Sequence, residues 1–172
     1  MQKQLSTRLL NFALWLGFLS STLASAETID LLAQPGLEAF RPVKGWHRVE
    51  TVSAVEGATE LATSGTGPIL VNSRVKESVP YLFTKEEFGD AHVEIEFMIP
   101  KNSNAGVYLQ GRYEVQILDS YGKARVGSGD LGGIYQRWDS KRGKGKEGYE
   151  GVAPRVNAAR PPGEWQTLDI LF

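Results

Sequence analysis

The chain has 172 residues, of which 41% are hydrophobic and 23% charged, and 19 Lys+Arg against 20 Asp+Glu give a net charge of −1. This composition is that of one globular domain, and it lacks the basic excess of a nucleic-acid-binding protein. The absence of cysteine excludes a disulfide scaffold and, with only two histidines, argues against structural zinc. We therefore predict no nucleic-acid partner, and a divalent cation held by oxygen ligands stays open.

The first 26 residues have the pattern of a secretory signal peptide. Lys3 and Arg8 precede an eleven-residue apolar run at residues 9–19, and small residues follow up to Ala26. At about 1.5 Å per residue, this run is too short to cross a hydrocarbon core of about 30 Å. We predict cleavage after Ala26, no stable membrane span, export to the periplasm or the medium, and a mature domain of residues 27–172.

The mature segment has the two-residue periodicity of β-strands. Residues 92–99 alternate strictly, with Val93, Ile95 and Phe97 on one face. Polar or glycine-rich turns, such as residues 64–68, separate this segment from further predicted strands at residues 69–71, 81–83, 107–111, 113–118 and 165–172. Only residues 37–40 and 85–88 allow a helical turn. The pattern predicts an all-β fold, a sandwich of two antiparallel sheets.

One predicted sheet face carries an unusual set of polar side chains. Alternation, together with adjacency of successive strands, places on this face Glu94, Glu96, Tyr108, Gln110, Glu114 and Gln116. A solvent-facing sheet is commonly polar without any function, but Lys, Thr and Ser would be the usual residues there. Because Glu, Gln and Tyr hydrogen-bond sugar hydroxyls and stack on sugar faces, the pattern favours a carbohydrate-binding surface.

Glu114 and Asp119 are candidates for a general acid and a general base. Residues five apart on a regular strand lie on opposite faces, so their carboxylates converge only if a β-bulge intervenes. Without a bulge, Asp119 is a turn residue that precedes Ser120. The sequence leaves both interpretations open.

Two further patterns are less specific. Gly127, Gly129 and Gly132 match the G-x-G-x-x-G pattern of dinucleotide-binding loops. The residues that follow predict a turn and a strand instead of the required helix, which argues against such a site. The basic run at Arg137, Lys141, Arg142, Lys144 and Lys146 indicates a solvated loop, with a lid or an anionic-glycan contact as the alternative.

Five segments resemble the bacterial 3-keto-disaccharide hydrolase domain, also described as a 3-keto-glucoside 1,2-lyase and hydratase domain. They are YLFTKEEFGD (81–90), EFMIPKNSNAGVYLQGRYEVQILDSYG (96–122), GGIYQRWD (132–139), APRVNAARPPGEWQ (153–166) and the final DILF. The resemblance implies a concanavalin A-like jelly roll whose concave sheet binds an oligosaccharide or glycoside. Family members usually continue with further strands, so we also expect a C-terminally truncated domain here, with strands missing beyond Phe172.

The resemblance implies elimination chemistry. A ketone at C3 of the sugar acidifies the C2 proton, and its removal by a base expels the C1 substituent. Donors or a divalent cation would stabilise the enediolate. In this hypothesis Glu114 is the base, and Gln116 and Arg112 orient or stabilise the oxyanion. Asp119 or Glu96 is the acid or a metal ligand. The predicted sugar contacts are Glu96, Tyr108, Gln110, Tyr135 and Asn157.

Two alternatives compete with this enzyme. A non-catalytic carbohydrate-binding module would use the same polar face without a general base. A retaining glycosidase is suggested by the likeness of EVQILD to the E-x-D-x-x-E strand of jelly-roll glucanases. Gln116 replaces the central acid of that strand and Asp119 shortens the distal spacing. Both changes weaken a mechanism that needs carboxyls about 5–5.5 Å apart.

Overall fold

The structure is a computed structural model that describes residues 27–33, 36–42, 44–72, 81–137, 139, 141 and 151–172. The chain divides into residues 1–30 and 31–172, and the description below concerns the second unit. The predicted signal peptide and the basic residues Arg142, Lys144 and Lys146 lie outside the described residues. Within the described ranges, no helix is long and apolar enough to span a membrane.

Six strands and no α-helix make up the regular structure of the described residues. The strands are β1 (Trp46–Ala54), β2 (Leu61–Asn72), β3 (His92–Phe97), β4 (Asn104–Leu109), β5 (Tyr113–Leu118) and β6 (Gln166–Leu171). They form three antiparallel ladders, β1–β2, β3–β6 and β4–β5. The prediction of an all-β fold with antiparallel pairing is confirmed.

One hydrophobic cluster joins the ladders β3–β6 and β4–β5. Its buried members are Phe97, Ile99, Ile117 and Leu131, and Val107, Ala159 and Leu168 pack against them. The inward side chains of β3 alternate with exposed ones, as the sequence predicts. Because the cluster takes side chains from both ladders, their apolar faces pack together, an arrangement consistent with a jelly-roll sandwich.

The glycine-rich segment at residues 64–68, predicted as a turn, lies inside β2. Val49 pairs with Ile69 and Thr51 pairs with Ser64, so four residues of β2 face Glu50 alone. Gly65 has a φ of 67°, and a Cβ there would lie 2.7 Å from the Cβ of Glu50. Turns and bulges favour the same glycines, so composition could not distinguish them.

Residues 81–83, predicted as a strand, form no strand, and the isolated bridge in this segment is at the following residue, Thr84. Thr84 bridges Phe40, the main-chain N–H of Arg41 donates to Phe83, and that of Lys85 donates to Ala39. The segment is thereby fixed on residues 39–41. Residues 37–40 form one turn, which the N–H of Phe40 closes on the carbonyl of Leu37.

The central strand β5 is hydrogen-bonded along both edges. β4 occupies one edge, and the other receives the segment at residues 132–135, through bonds such as Tyr135 N–H to the Glu114 carbonyl at 2.9 Å. Ile134 also bridges Val152 on its far side. The strand predicted after Gly132 is therefore a pair of isolated bridges, and no helix follows the glycine pattern within residues 127–137.

Candidate functional site

The turn of the β4–β5 hairpin brings the polar residues together. The N–H of Arg112 donates to the carbonyl of Leu109 at 3.0 Å, and Gln110 and Gly111 have φ values of 51° and 60°. Positive φ at both central positions gives a mirror-image turn that matches the strand twist. Gln110 therefore lies in the turn and not on the predicted strand face, because alternation does not show where a strand ends.

Tyr108 on β4 lies directly opposite Glu114 on β5. The Tyr108 hydroxyl donates a hydrogen bond to Glu114 Oε2 at 2.7 Å. Partial desolvation, followed by the neighbouring Glu114 carboxylate, raises the pKa of Tyr108 above its usual value. The hydroxyl therefore keeps its proton at neutral pH and holds the carboxylate in one orientation.

Gly106 makes room for the Glu114 side chain. A Cβ at position 106 would lie 2.7 Å from Glu114 Cγ and 3.0 Å from Cδ, closer than the roughly 3.5–4.0 Å at which carbon atoms pack. Any larger residue would push the carboxylate aside. Sequence reasoning missed Gly106, although an isolated glycine within a strand pattern indicates a close approach.

Tyr108 and Glu114 line an open cleft of about 590 Å³, a volume in the range of small-molecule sites. The rest of the lining consists of Gly111, Arg112, Tyr135, Gln136, Arg137, Asp139 and Lys141. The structure thus brings together four predicted site residues, Arg112, Tyr108, Glu114 and Tyr135. The lining contains three basic side chains and two carboxylates, so the cleft favours a ligand that carries negative charge.

Two basic residues of the cleft come from the run interpreted as a solvated loop. Arg137 and Lys141 line the same cleft as Tyr108, Arg112 and Glu114 of the hairpin. Their position agrees with the alternative, in which the run contacts the ligand. Alternation could not find Gln136 or Asp139, since they follow the bridged segment and belong to no strand.

Gln116 does not line the cleft, although it was predicted to bind the oxyanion. Its side chain is buried and donates through Nε2 to Asn104 Oδ1 at 3.0 Å. It shares the face of Glu114 on β5 but lies two residue pairs further from the hairpin turn. Gln116 therefore does not belong to the accessible polar face on which it was predicted, because neighbouring structure covers this part of the strand.

Asp119 follows β5 directly and precedes the turn that Lys123 N–H closes on the carbonyl of Ser120. The ladder β4–β5 has continuous register without a bulge, and the N–H groups of Asn102 and Tyr121 donate to the two carboxylate oxygens at 2.9 and 3.4 Å. At about 3.3 Å per residue, the Cα atoms of Glu114 and Asp119 lie roughly 16 Å apart along the strand. The two carboxylates do not converge, which removes the basis for the retaining-glycosidase alternative.

Glu96 lies in a different ladder from Glu114. It pairs with Thr167 of β6, so the predicted sheet face shared by Glu94, Glu96, Tyr108 and Glu114 is wrong. That prediction assumed that consecutive strands pair, whereas β3 pairs with the last strand. The alternation of residues along a strand does not show which other strand it pairs with.

The ladder β3–β6 also carries His92, Glu94 and Asp169, whose ligand atoms lie within 4.8 Å of one another. His92 Nε2 lies 2.7 Å from Asp169 Oδ1 and 4.0 Å from Glu94 Oε1. All three residues are exposed, and exposed pairs of this kind contribute little to stability. The cluster by itself identifies no cation site, and the divalent cation stays a prediction.

Asn157, predicted to contact sugar, is hydrogen-bonded to main chain outside the cleft lining. Its Nδ2 donates to the carbonyls of Ser120 and Lys123 at 2.7 and 3.0 Å, and its Oδ1 accepts from Ala159 N–H at 3.2 Å. These bonds hold the turn that follows β5. No feature of the sequence pattern indicated this arrangement.

A buried carboxylate organises the loop between β5 and the bridged segment. Asp130 Oδ1 accepts from Lys123 Nζ at 2.6 Å and from Ser120 Oγ at 3.1 Å, and Oδ2 accepts from Gly127 N–H at 2.8 Å. Lys123 foremost, then Gly127 and Ser120, lower the pKa of Asp130 despite its desolvation. The network orders the loop that delivers Tyr135 to the cleft.

A family model described as the 3-keto-alpha-glucoside-1,2-lyase-like domain matches residues 35–172. The chain belongs to this family. The match includes all six strands and every residue of the cleft lining. No curated protein and no solved structure matches the chain. Family membership confirms the resemblance carried by the five sequence segments, and the family description indicates chemistry on 3-keto sugars.

Proposed function

We propose that this protein cleaves 3-keto-glucosides by elimination, with Glu114 as the base. The observation that carries the proposal is the hydrogen bond of 2.7 Å between Tyr108 and Glu114 at the cleft. It supplies an oriented carboxylate beside a protonated hydroxyl, the pair of groups that an elimination needs. The family description supports the substrate class.

The first step removes the C2 proton. In the proposed mechanism, a carboxylate oxygen of Glu114 takes this proton, and the electron pair of the C–H bond moves into the C2–C3 bond. The ketone oxygen at C3 then carries the negative charge. Arg112 lines the same cleft, and its guanidinium would stabilise this oxyanion electrostatically.

The second step breaks the bond between C1 and the glycosidic oxygen. The electron pair of the enolate moves to form the C1=C2 double bond, the C3 ketone is restored, and the leaving oxygen takes a proton from the Tyr108 hydroxyl. The proton on Glu114 then returns to Tyr108 along their hydrogen bond. Addition of water across C1=C2 would complete a net hydrolysis.

A non-catalytic sugar-binding module is the second candidate. The same cleft, with Tyr135 and its basic side chains, would hold a sugar without any proton transfer. Gly106 favours the enzyme, because its missing side chain accommodates Glu114 in one position, and a binding module has no need of a precisely placed base.

The test uses the complete chain with methyl 3-keto-α-glucoside, in the presence and absence of EDTA. Methanol and the unsaturated ketone are the expected products. The Glu114→Gln variant should lose activity by about 100-fold or more, whereas Glu56→Gln, at an exposed turn, serves as the matched control. Sugar binding without product would favour the binding module, and full activity of Glu114→Gln would contradict the base assignment.

We also infer that residues 1–26 direct export to the periplasm or the medium. Their charged, apolar and small-residue order supports this inference. Expression of the complete gene followed by cell fractionation and mass spectrometry should yield a mature chain beginning at Glu27. A cytoplasmic chain that retains Met1 would contradict it.

A further inference from the structure

A row of exposed aromatic rings leads away from the Tyr108–Glu114 pair. The ring centroids of Tyr108 and Tyr81 are 5.8 Å apart, and those of Tyr81 and Phe83 are 6.0 Å apart. The exposed fractions of Tyr108, Tyr81 and Phe83 are 45%, 64% and 53%. Large aromatic side chains are usually covered, so three adjacent exposed rings indicate a binding surface.

The row is fixed to the protein at its far end. The main chain of Phe83 accepts from the N–H of Arg41 at 2.8 Å. The guanidinium of Arg41 also lies 5.9 Å from the centroid of the Phe83 ring, within the range of a cation–π contact. Both interactions restrict Phe83, so the row loses little conformational freedom when it binds a ligand.

We propose that Phe83 and Tyr81, together with Tyr108, form a subsite for an aromatic leaving group of a 3-keto-glucoside. This inference rests on the proposed function, in which the Tyr108 hydroxyl protonates the leaving oxygen. The leaving group must then lie on the Tyr108 side of Glu114, and the aromatic row begins there.

The geometry of the rings favours an aromatic group over a second sugar. The planes of Tyr81 and Tyr108 meet at 88°, and those of Tyr81 and Phe83 at 46°. These angles give no flat platform for a sugar chain. They present ring edges beside ring faces, which is the arrangement in which a further aromatic ring packs favourably.

The test compares phenyl 3-keto-α-glucoside with methyl 3-keto-α-glucoside for the complete chain. Because each variant is judged by the ratio of the two kcat/KM values relative to the ratio for the unaltered protein, the intrinsic difference between leaving groups cancels. Phe83→Ala and Tyr81→Ala should lower this ratio about 3- to 10-fold, the effect of losing one aromatic contact. Tyr121→Ala, an exposed tyrosine outside the row, is the control and should keep the ratio.

A second measurement separates the subsite from the reaction. Calorimetric binding of phenyl α-glucoside to the Glu114→Gln variant requires no turnover, and adding Phe83→Ala should weaken it about 3- to 10-fold. If no 3-keto-glucoside is cleaved, the proposed function fails while this binding result still decides the subsite. Equal losses for the phenyl and methyl substrates, or unchanged binding, would overturn the aromatic subsite. Thermal unfolding identifies any variant that fails to fold. Phe83→Leu is the conservative replacement if Phe83→Ala does.

Discussion

The hydroxyl of Tyr108 donates to the Glu114 carboxylate at 2.7 Å, between two residues paired directly across the β4–β5 ladder. One hydrogen bond therefore joins the base of the proposed reaction to a proton donor and to the first ring of the aromatic row. Both side chains derive their position from regular strand geometry. Sites on strands are positioned more precisely than sites on loops.

Replacing Tyr108 by phenylalanine keeps the ring and removes only the hydroxyl. We expect kcat on methyl 3-keto-α-glucoside to fall about 100-fold or more, because the leaving oxygen loses its acid and Glu114 loses its partner. The fold should stay intact. Tyr113→Phe, which removes an exposed hydroxyl from the adjacent strand, is the matched control, and equal activity of the two variants would contradict a role for the Tyr108 hydroxyl.

Gly106→Ala tests whether the position of Glu114 matters. The added Cβ meets the end of the Glu114 side chain, which can swing away, so folding should survive. A displacement of about 1 Å at a reacting group can cost about 100-fold in rate, and we expect kcat to fall by 10- to 100-fold. Gly89→Ala, where a Cβ meets nothing within 4 Å, should behave like the unaltered protein. Unchanged kcat in Gly106→Ala would show that Glu114 needs no fixed position.

Asp130→Asn should destabilise the protein by about 1–3 kcal/mol at pH 7, because three donors face this carboxylate. The pKa of Asp130 is lowered by folding, so its contribution is complete above the unfolded value of about 3.8 and is lost as pH falls through the lower folded value. Urea unfolding at pH 7 and below pH 4 should show the difference between wild type and variant shrinking in acid. Asp90→Asn, at an exposed position, is the control. A stability difference between wild type and Asp130→Asn that stays constant across this pH range would contradict the assignment.

Asn157→Ala distinguishes a structural residue from a sugar contact. The variant loses hydrogen bonds to the carbonyls of Ser120 and Lys123, and we expect its free energy of unfolding to fall by about 1–3 kcal/mol. KM of the folded fraction should change less than twofold. A large rise in KM without loss of stability would instead support the sugar contact expected from the family resemblance.

Much of the fold and part of the site could be predicted from the sequence. Alternation over residues 92–99 and 113–118 predicted the strands β3 and β5, although β3 ends at Phe97, and four predicted site residues meet in one cleft. Gln110 and Asp119 could not be placed by the same reasoning, since the positions of turns and bulges depend on main-chain conformations that alternation does not encode. Gly106 is informative only once its neighbour across the ladder is known.

Residue periodicity and motifs are properties of residues close together in the chain, so they were sufficient to predict the class of fold, the family and the segment that carries Tyr108 and Glu114. The pairing of the strands, in contrast, is known only from the three-dimensional structure. It placed β6 beside β3 and thereby separated Glu96 from Glu114, and it brought residues 81–83 against Tyr108. These contacts join residues far apart in the chain, and their stability depends on the packing of the whole domain.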